Sequence, residues 1–540
     1  MPDAVVIGSG PNGLVAANVL ASAGWEVLVL EAQPEPGGAV RTRELIEPGF
    51  RNDMFSAFYP LAAFSPVIRE LDLERHGLRW RRSPVAAAHP AVDGRCALLS
   101  TSLDETAASL DAFAPGDGDA WRELYAYWER VGPRFAEALL RPFPPVQAGA
   151  RLVAALGPRG VNEFLRFAIL PVRRLAEERF NGEGGGWLLA GNALHADFTP
   201  ESAGGGLFGW LLTSLGQQLG YPVPEGGAGR LTDALVRRLA AAGGDLQCGR
   251  RVAQIIVENG RATGVRTQDG EEVVARRAVL ADVGAPALYQ ELLRDASLPA
   301  GVLRNLSRFQ YDNATVKVDW TLDAPIPWNA DGARRAGTVH VGGDMDAHSD
   351  VTGQLVRGLI PARPLLVMGQ YSMTDPTRSP AGTETAWAYT HVPQRARGDA
   401  GGELSGAWDE RETEVFTGRM EDEVERLAPG FRALIRGRHV FNPHTMQAAD
   451  ENLVHGAVNG GTAQIHQQLV FRPTPGLGRA ETPVRGLYLA SASAHPGGGV
   501  HGAAGANAAR AALNSGRARR AAAGLAAAAL AGAALARARR

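Results

Sequence analysis

The chain is nearly devoid of cysteine and lysine. Its two cysteines, Cys96 and Cys248, are far apart among 540 residues, which excludes a disulfide scaffold, a CxxC redox pair and a cysteine-rich zinc site. No metal site is expected. Lys317 is the only lysine among 55 Lys and Arg residues, a bias that genome composition explains as readily as any physical demand. Charge of one sign is also missing: 55 basic against 57 acidic residues leave a net charge of −2, with no surplus to neutralise a phosphate backbone, so nucleic acid is not an expected partner. Nor does any interior stretch reach the roughly 18 consecutive apolar residues of a spanning helix. An apolar run begins at Ala4, directly ahead of a glycine loop, leaving no room for an export leader, so a cytoplasmic location is expected.

What is present is ample apolar material, 45% of the chain, enough for several compact cores. The 66 glycines and 34 prolines are dispersed without a period and imply many turns and close backbone contacts. The alanine-rich segment Ala521 to Ala536, bracketed by arginines, has leucines that fan around a helix rather than forming a stripe. It reads as a solvated helical tail or as a basic peripheral membrane contact.

Asp3 to Gly24 reads as an apolar strand, a glycine turn and a helix stopped by glycine, and Glu26 to Leu30 as a second buried strand. That is the βαβ unit of a parallel sheet. In Gly8-Ser9-Gly10-Pro11-Asn12-Gly13 the first glycine permits the turn, the second lets backbone approach a diphosphate, and the third closes helix onto sheet. Glu31, 18 residues on, can accept from ribose hydroxyls. Residues 61 to 221 read as mainly helical, interrupted by a loop at Asn181 to Gly186. Alternating segments at Thr315 to Leu322, Thr338 to Gly342 and Thr383 to Val392 predict an antiparallel sheet. Near the other end, Gly486 to Asn507 holds a strand, the glycines 497 to 499 and a small-residue helix. Such a turn lets main chain lie against a flat ring, and the positive end of the helix would stabilise an anion there.

Gln33 to Thr42 adds a second close-approach pair, Gly37-Gly38. With Tyr221 to Arg230, Thr315 to Trp320, Trp387 to Pro393, Asn452 to Gly456 and the turn at Ser493 to Gly502, the chain up to Leu513 resembles the phytoene desaturase-like branch of the FAD-dependent amine oxidase superfamily. That branch includes desaturase-type carotene ketolases and pyridine nucleotide-disulfide oxidoreductase domain protein 2. The resemblance implies an α/β fold with a discontinuous Rossmann-type FAD-binding domain (1–80, 222–295, 462–515), an inserted α+β substrate domain (81–221, 296–461) and a tail outside it (516–540). It implies FAD held by residues 8 to 13, Glu31, Ala32, Gly37, Gly38, Ala39 and Arg41, with Val252 against the adenine and Ser493, Gly498, Gly499 and Val500 around the ribityl chain and ring. Gln33, often basic in relatives, leaves the diphosphate charge to Arg41 or to backbone. His495 and His501 flank the flavin turn as candidate catalytic groups, ahead of His195 and His455; Asn52, Asp53 and Ser56 would edge the ring. No second GxGxxG follows a strand, so a separate NAD(P)H domain is not expected. The implied reaction is dehydrogenation or oxygenation of an apolar, isoprenoid or polyene-like substrate by hydride transfer to flavin N5, with oxygen, a quinone or a protein as electron acceptor. Cis-trans isomerisation, or a role mainly in binding a partner or membrane, are the alternatives.

Overall fold

The computed structural model describes residues 1–515, so the Ala521 to Ala536 segment lies outside the described residues. The chain opens as a βαβ unit: β1 (Ala4–Ile7), α1 (Pro11–Ser22) and β2 (Val27–Leu30). Pro11 starts α1 where its missing N–H is no loss. A hairpin follows, β3 (Val85–Pro90) and β4 (Cys96–Ser100), inside the region expected to be helical. The run Val85-Ala-Ala-Ala-His-Pro carries no periodicity to reveal a strand buried on both faces.

The helices α2 (Asp117–Leu140), α3 (Val146–Ile169), α4 (Gly184–Ala193) and α5 (Gly205–Leu219) form a separate apolar layer. Gly184, Gly185 and Gly186, expected in a loop, form the first turn of α4. Side chains there would strike Phe113, Phe180 and Met345, so the glycines serve close packing. Next come α6 (Gly229–Ala241), β5 (Asp245–Gln247), the antiparallel ribbon β6 (Val252–Glu258), β7 (Arg261–Thr267), β8 (Glu272–Val274), and then β9 (Ala278–Ala281). The second sheet adds β10 (Ala314–Leu322), β11 (Ala336–Val341), β12 (Leu366–Gln370) and β13 (Glu384–Val392), then α7 (Glu410–Leu427) and β14 (Ile435–Phe441). β15 (Leu487–Leu489) and a helix over residues 503–515 end the described chain.

Two large sheets result. The first is all parallel, in the order β15-β9-β1-β2-β5. Its strands come from both ends and the middle of the chain and are near-continuous apolar runs, because both faces are covered: one by α1, α6 and the last helix, the other by the ribbon β6-β7-β8 and residues 285–306. The second, in the order β14-β10-β13-β12-β11-β3-β4, is antiparallel except for the parallel pair β3 and β11. One face of β10 places Val316, Val318, Trp320 and Leu322 in a core with Phe416, Met420 and Val424 of α7. No helix among the described residues is long and apolar enough to cross a membrane.

Candidate functional site

A continuous cavity of about 920 Å3 begins at the carboxyl ends of β1 and β2 and extends to the face of the second sheet. The carboxyl edge of a parallel sheet is where open α/β folds bind ligands. Gly8, Gly10, Pro11 and Asn12 form its first wall, and Glu31 and Ala32 the wall beside it. Both Glu31 oxygens are held: Ser9 donates to Oε2 from its amide (2.8 Å) and hydroxyl (2.6 Å), and the Gln33 amide to Oε1 (2.8 Å). Oε1, with one donor, keeps capacity for a second such as a ribose hydroxyl. Gly38 and Ala39 continue the wall, and Val252 enters at the start of β6. A Cβ on Gly38 would lie 3.1 Å from Gly10 Cα, at a φ of +53°, so this cradle admits no side chain.

Ser9, Gly13, Gly37 and Arg41 act from behind that wall. Ser9 orients Glu31. The Gly13 amide donates to Asp282 Oδ2 (2.7 Å), and Gly37 packs where a Cβ would lie 2.8 Å from Thr232 Oγ1 on α6. Arg41 does not face the diphosphate position: its Nε donates to the Gly38 carbonyl (2.7 Å) and its Nη2 to that of Ala449 (2.9 Å). The guanidinium staples two loops, which leaves backbone N–H groups and the α1 terminus for the diphosphate.

At the other end, Ser493, Gly498, Gly499, Val500 and His501 line the same cavity. Buried Arg472 braces their turn, donating to the carbonyls of Ala492 (2.8 Å), Thr462 (2.8 Å) and Asn459 (2.8 Å). Its cation on the cavity wall would stabilise negative charge on a reduced ring. The two candidate catalytic histidines part company here. His501 faces the cavity, but its Nδ1 accepts from the Ala503 amide (3.0 Å) and caps the last helix. His495 is a correction: its Nε2 reaches the Arg141 carbonyl (3.1 Å), its ring meets Phe143 edge-on, and it does not line the cavity. Burial lowers both to about 4, so both are neutral at pH 7.

Sequence reasoning misses two groups and undervalues a third. Asp282 follows β9, and burial, with Asp450 and Glu31 nearby, pushes its carboxyl up to about 7. Lys317 lies on β10 and reaches the cavity, paired with buried Asp319. His195, placed behind the turn histidines on sequence grounds, lines the cavity with its Nε2 3.1 Å from that of His340. Of the ring-edging residues only Ser56 lines the cavity, while Asp53 is buried in an ion pair with Arg378 (2.9 Å). Phe208, Leu211, Leu212 and Tyr311 line it, whereas Trp187, Trp210, Trp320 and Trp328 belong to cores.

A glycine turn on a helix terminus, an acid closing the second strand, and a second glycine turn from the far end of the chain define a dinucleotide-binding oxidoreductase site of flavoprotein type. The model of the "Flavin containing amine oxidoreductase" family matches residues 12–513. The chain belongs to this family, and its cofactor is FAD. It is 30% identical to mouse pyridine nucleotide-disulfide oxidoreductase domain-containing protein 2, over 94% of this chain and 92% of the relative. It is 24% identical to a limonene dehydrogenase polypeptide of Castellaniella defragrans, over 94% of each. Phytoene desaturases are further relatives. Among solved structures, an oxidoreductase from Methanosarcina mazei superposes with a TM-score of 0.62 at 16% identity, covering 95% of this chain and 99% of that one.

Proposed function

We propose that this flavoprotein dehydrogenates or oxygenates an apolar, isoprenoid-like molecule, with residues 8 to 13, Glu31, Gly38, Val252, Ser493 and Gly498 to Val500 holding the FAD. The observation that carries the reading is the apolar lobe continuous with the cofactor cradle: Phe135 and Leu139 of α2, Phe208 and Leu211 of α5, Phe198 and Ile465. Such a lobe desolvates a hydrocarbon skeleton at about 25 cal/mol per Å2 buried. The limonene dehydrogenase polypeptide and the phytoene desaturases, similar over nearly the whole chain, bear names that denote dehydrogenation of such skeletons.

FAD, when bound, supplies a two-electron acceptor. The protein must then take up the proton that leaves the substrate. His195 meets that need. In the tautomer that donates from Nε2 to His340, its Nδ1 is an open acceptor on the cavity wall. Burial lowers His195 to about 4, which keeps it unprotonated across the neutral range. That strength suffices when the proton lost lies next to a delocalised cation. FAD-loaded protein mixed with limonene or carotenes under nitrogen should bleach; a flavin that stays oxidised with every apolar compound and is reduced by amines would overturn the reading. His195→Gln should retain FAD and lower the anaerobic bleaching rate by about 100-fold. A rate within twofold of the parent would remove His195 from the role.

A further inference from the structure

A strap of chain crosses the dinucleotide end of the cavity. It follows the helix Pro443–Ala449, and Asp450, Glu451 and Asn452 of the strap all line the cavity. Its backbone is pinned on both sides. Arg41 donates to the Ala449 carbonyl (2.9 Å), while the Asn452 side chain donates from Nδ2 to the Asp282 carbonyl (3.1 Å) and accepts at Oδ1 from the Gly284 amide (3.1 Å). Between these anchors Asp450 is buried and turned inward. Its Oδ2 lies 3.5 Å from where a Cβ on Gly38 would be, a position itself 3.1 Å from Gly10 Cα. The strap therefore stands over the glycine wall that a diphosphate would approach.

The neighbouring wall, with Glu31 and Val252, supplies the other half. Arg251 directly precedes Val252, and its main chain is fixed, because its carbonyl accepts from the Gln268 amide (2.8 Å). Its side chain reaches the strap: Nη1 donates to Glu451 Oε2 (2.6 Å) and Nη2 to Glu451 Oε1. Both residues line the cavity, yet their side chains keep 38% and 58% of their surface exposed. Groups that face a cavity on one side and water on the other stand at its mouth. A two-pronged contact between residues 200 positions apart thus closes the gap between the strap and the Glu31 wall. An exposed pair of this kind adds little to stability. Nor does it attract a dianion, since Glu451 occupies the guanidinium and adds a carboxylate to Glu31, Asp282 and Asp450. What the contact provides is a barrier of two side chains, which can swing while the pinned backbone stays in place.

We propose that the Arg251–Glu451 pair is a latch over the adenosine end of FAD, one that must open for the cofactor to enter or leave and so sets the rate of its exchange. The inference rests on the placement of FAD proposed above. With the latch shut, the adenosine is enclosed between the strap and the wall of Glu31 and Val252. With it open, that end of the cavity meets water. Exposed side chains change rotamer in about a nanosecond or less, so the latch delays FAD by being shut most of the time, not by moving slowly. A two-pronged pair at the upper end of exposed contacts favours the shut state by about fivefold.

The test is the rate at which FAD-loaded protein releases its cofactor on dilution, read from flavin fluorescence at one fixed pH. Glu451→Gln and Arg251→Gln should each speed release about fivefold. The double variant should be no faster than either, because each single change already breaks the contact. About 1 M salt should speed release from the parent and leave the double variant within about twofold. The sign for Glu451→Gln is decisive. By charge alone, removing a carboxylate beside a dianion and freeing Arg251 to face it would slow release. Slower or unchanged release from either single variant, additive effects in the double variant, or the same response to salt in parent and double variant would each overturn the latch. Glu31→Ala tests the placement separately and should weaken FAD binding about tenfold. A loss of that size, with Glu451→Gln no faster than the parent, would keep the placement and discard the latch. An affinity within about twofold of the parent would discard the placement and the latch with it.

Discussion

Gly505→Ala should emerge from purification with little or no yellow colour. Gly505 lies in the helix 503–515, where that helix crosses the start of α1. A Cβ there would sit far inside contact distance of the Asn12 carbonyl oxygen, and 3.0 Å from Asn12 Cα. Both obstacles are backbone, so no side chain can swing away. The backbone at Gly505 does not have a positive φ, which makes the effect purely one of space. Ala503, Ala504 and Ala506 beside it have no exposed surface, so the helix has nowhere to slide. It must lift off α1, carrying with it the turn from Ser493 to Val500 that forms one end of the FAD cradle. Overpacking of this kind costs about 1–3 kcal/mol, which, charged to cofactor binding at 1.4 kcal/mol per decade, weakens FAD retention by about 5- to 150-fold. Gly418→Ala is the control. Gly418 lies within α7 with nothing inside 4 Å of the added methyl, and alanine favours a helix by up to about 1 kcal/mol. Flavin absorbance per protein and the thermal midpoint would report both variants. A fully loaded Gly505→Ala protein would show that the two chain ends are not clamped on each other.

The parts of the site that were legible in the sequence are those whose chemistry is local. The spacing from Gly8 to Gly13 to Glu31 lies within one βαβ unit, and the glycines 497 to 499 sit between a short strand and a small-residue helix. In both cases the turn, the strand and the ligand-facing backbone are a few residues apart. What depends on the direction of one ring was not legible. His495 and His501 share a turn, yet one reaches a carbonyl on the far side of it and the other faces the cavity. Arg41 follows a cofactor-type glycine pair but finds two carbonyls before it finds a phosphate position. The polar alternation Thr315-Val-Lys-Val-Asp-Trp predicts a sheet correctly. It is silent on whether the polar face meets water or a buried cavity, because the two surroundings demand the same period of two. The hairpin at Val85 to Ser100 escaped because strands buried on both faces carry no alternation. Asp282 meets Gly13 across 269 positions of sequence, and only its place directly after a fully buried strand hinted at it.

Asp282 should make FAD binding depend on pH, weakening as pH rises. Its Oδ2 accepts from the Gly13 amide and lies 2.8 Å from where a Cβ on Gly10 would be. It therefore occupies the positive terminus of α1, beside the turn through which a diphosphate must approach. Two further carboxyls face it, Glu31 and Asp450, and Asp450 is itself pushed up to about 6 by burial. Arg41 offsets Asp450 but donates to two carbonyls, and Arg251, on the cavity wall beside Glu31, is paired with Glu451. Without FAD the Asp282 carboxyl titrates at about 7. A dianion placed beside it disfavours the charged form and raises it further. FAD thus binds the protonated form better, and one proton is taken up on binding where the free protein is ionised. Below about pH 6 the Asp282 carboxyl is already neutral and affinity is flat. Above about pH 7 the dissociation constant climbs about tenfold per pH unit until the FAD-bound form also ionises. Asp282→Asn keeps an oxygen for the Gly13 amide and is neutral at every pH. The variant should hold FAD about thirtyfold more tightly than the parent at about pH 8.5 and equally at about pH 5.5, with a shallow residue of pH dependence from Asp450. Equilibrium dialysis of FAD across this range measures both constants. Parallel pH profiles for parent and variant would mean that Asp282 stays ionised next to the bound diphosphate, or that the diphosphate binds elsewhere.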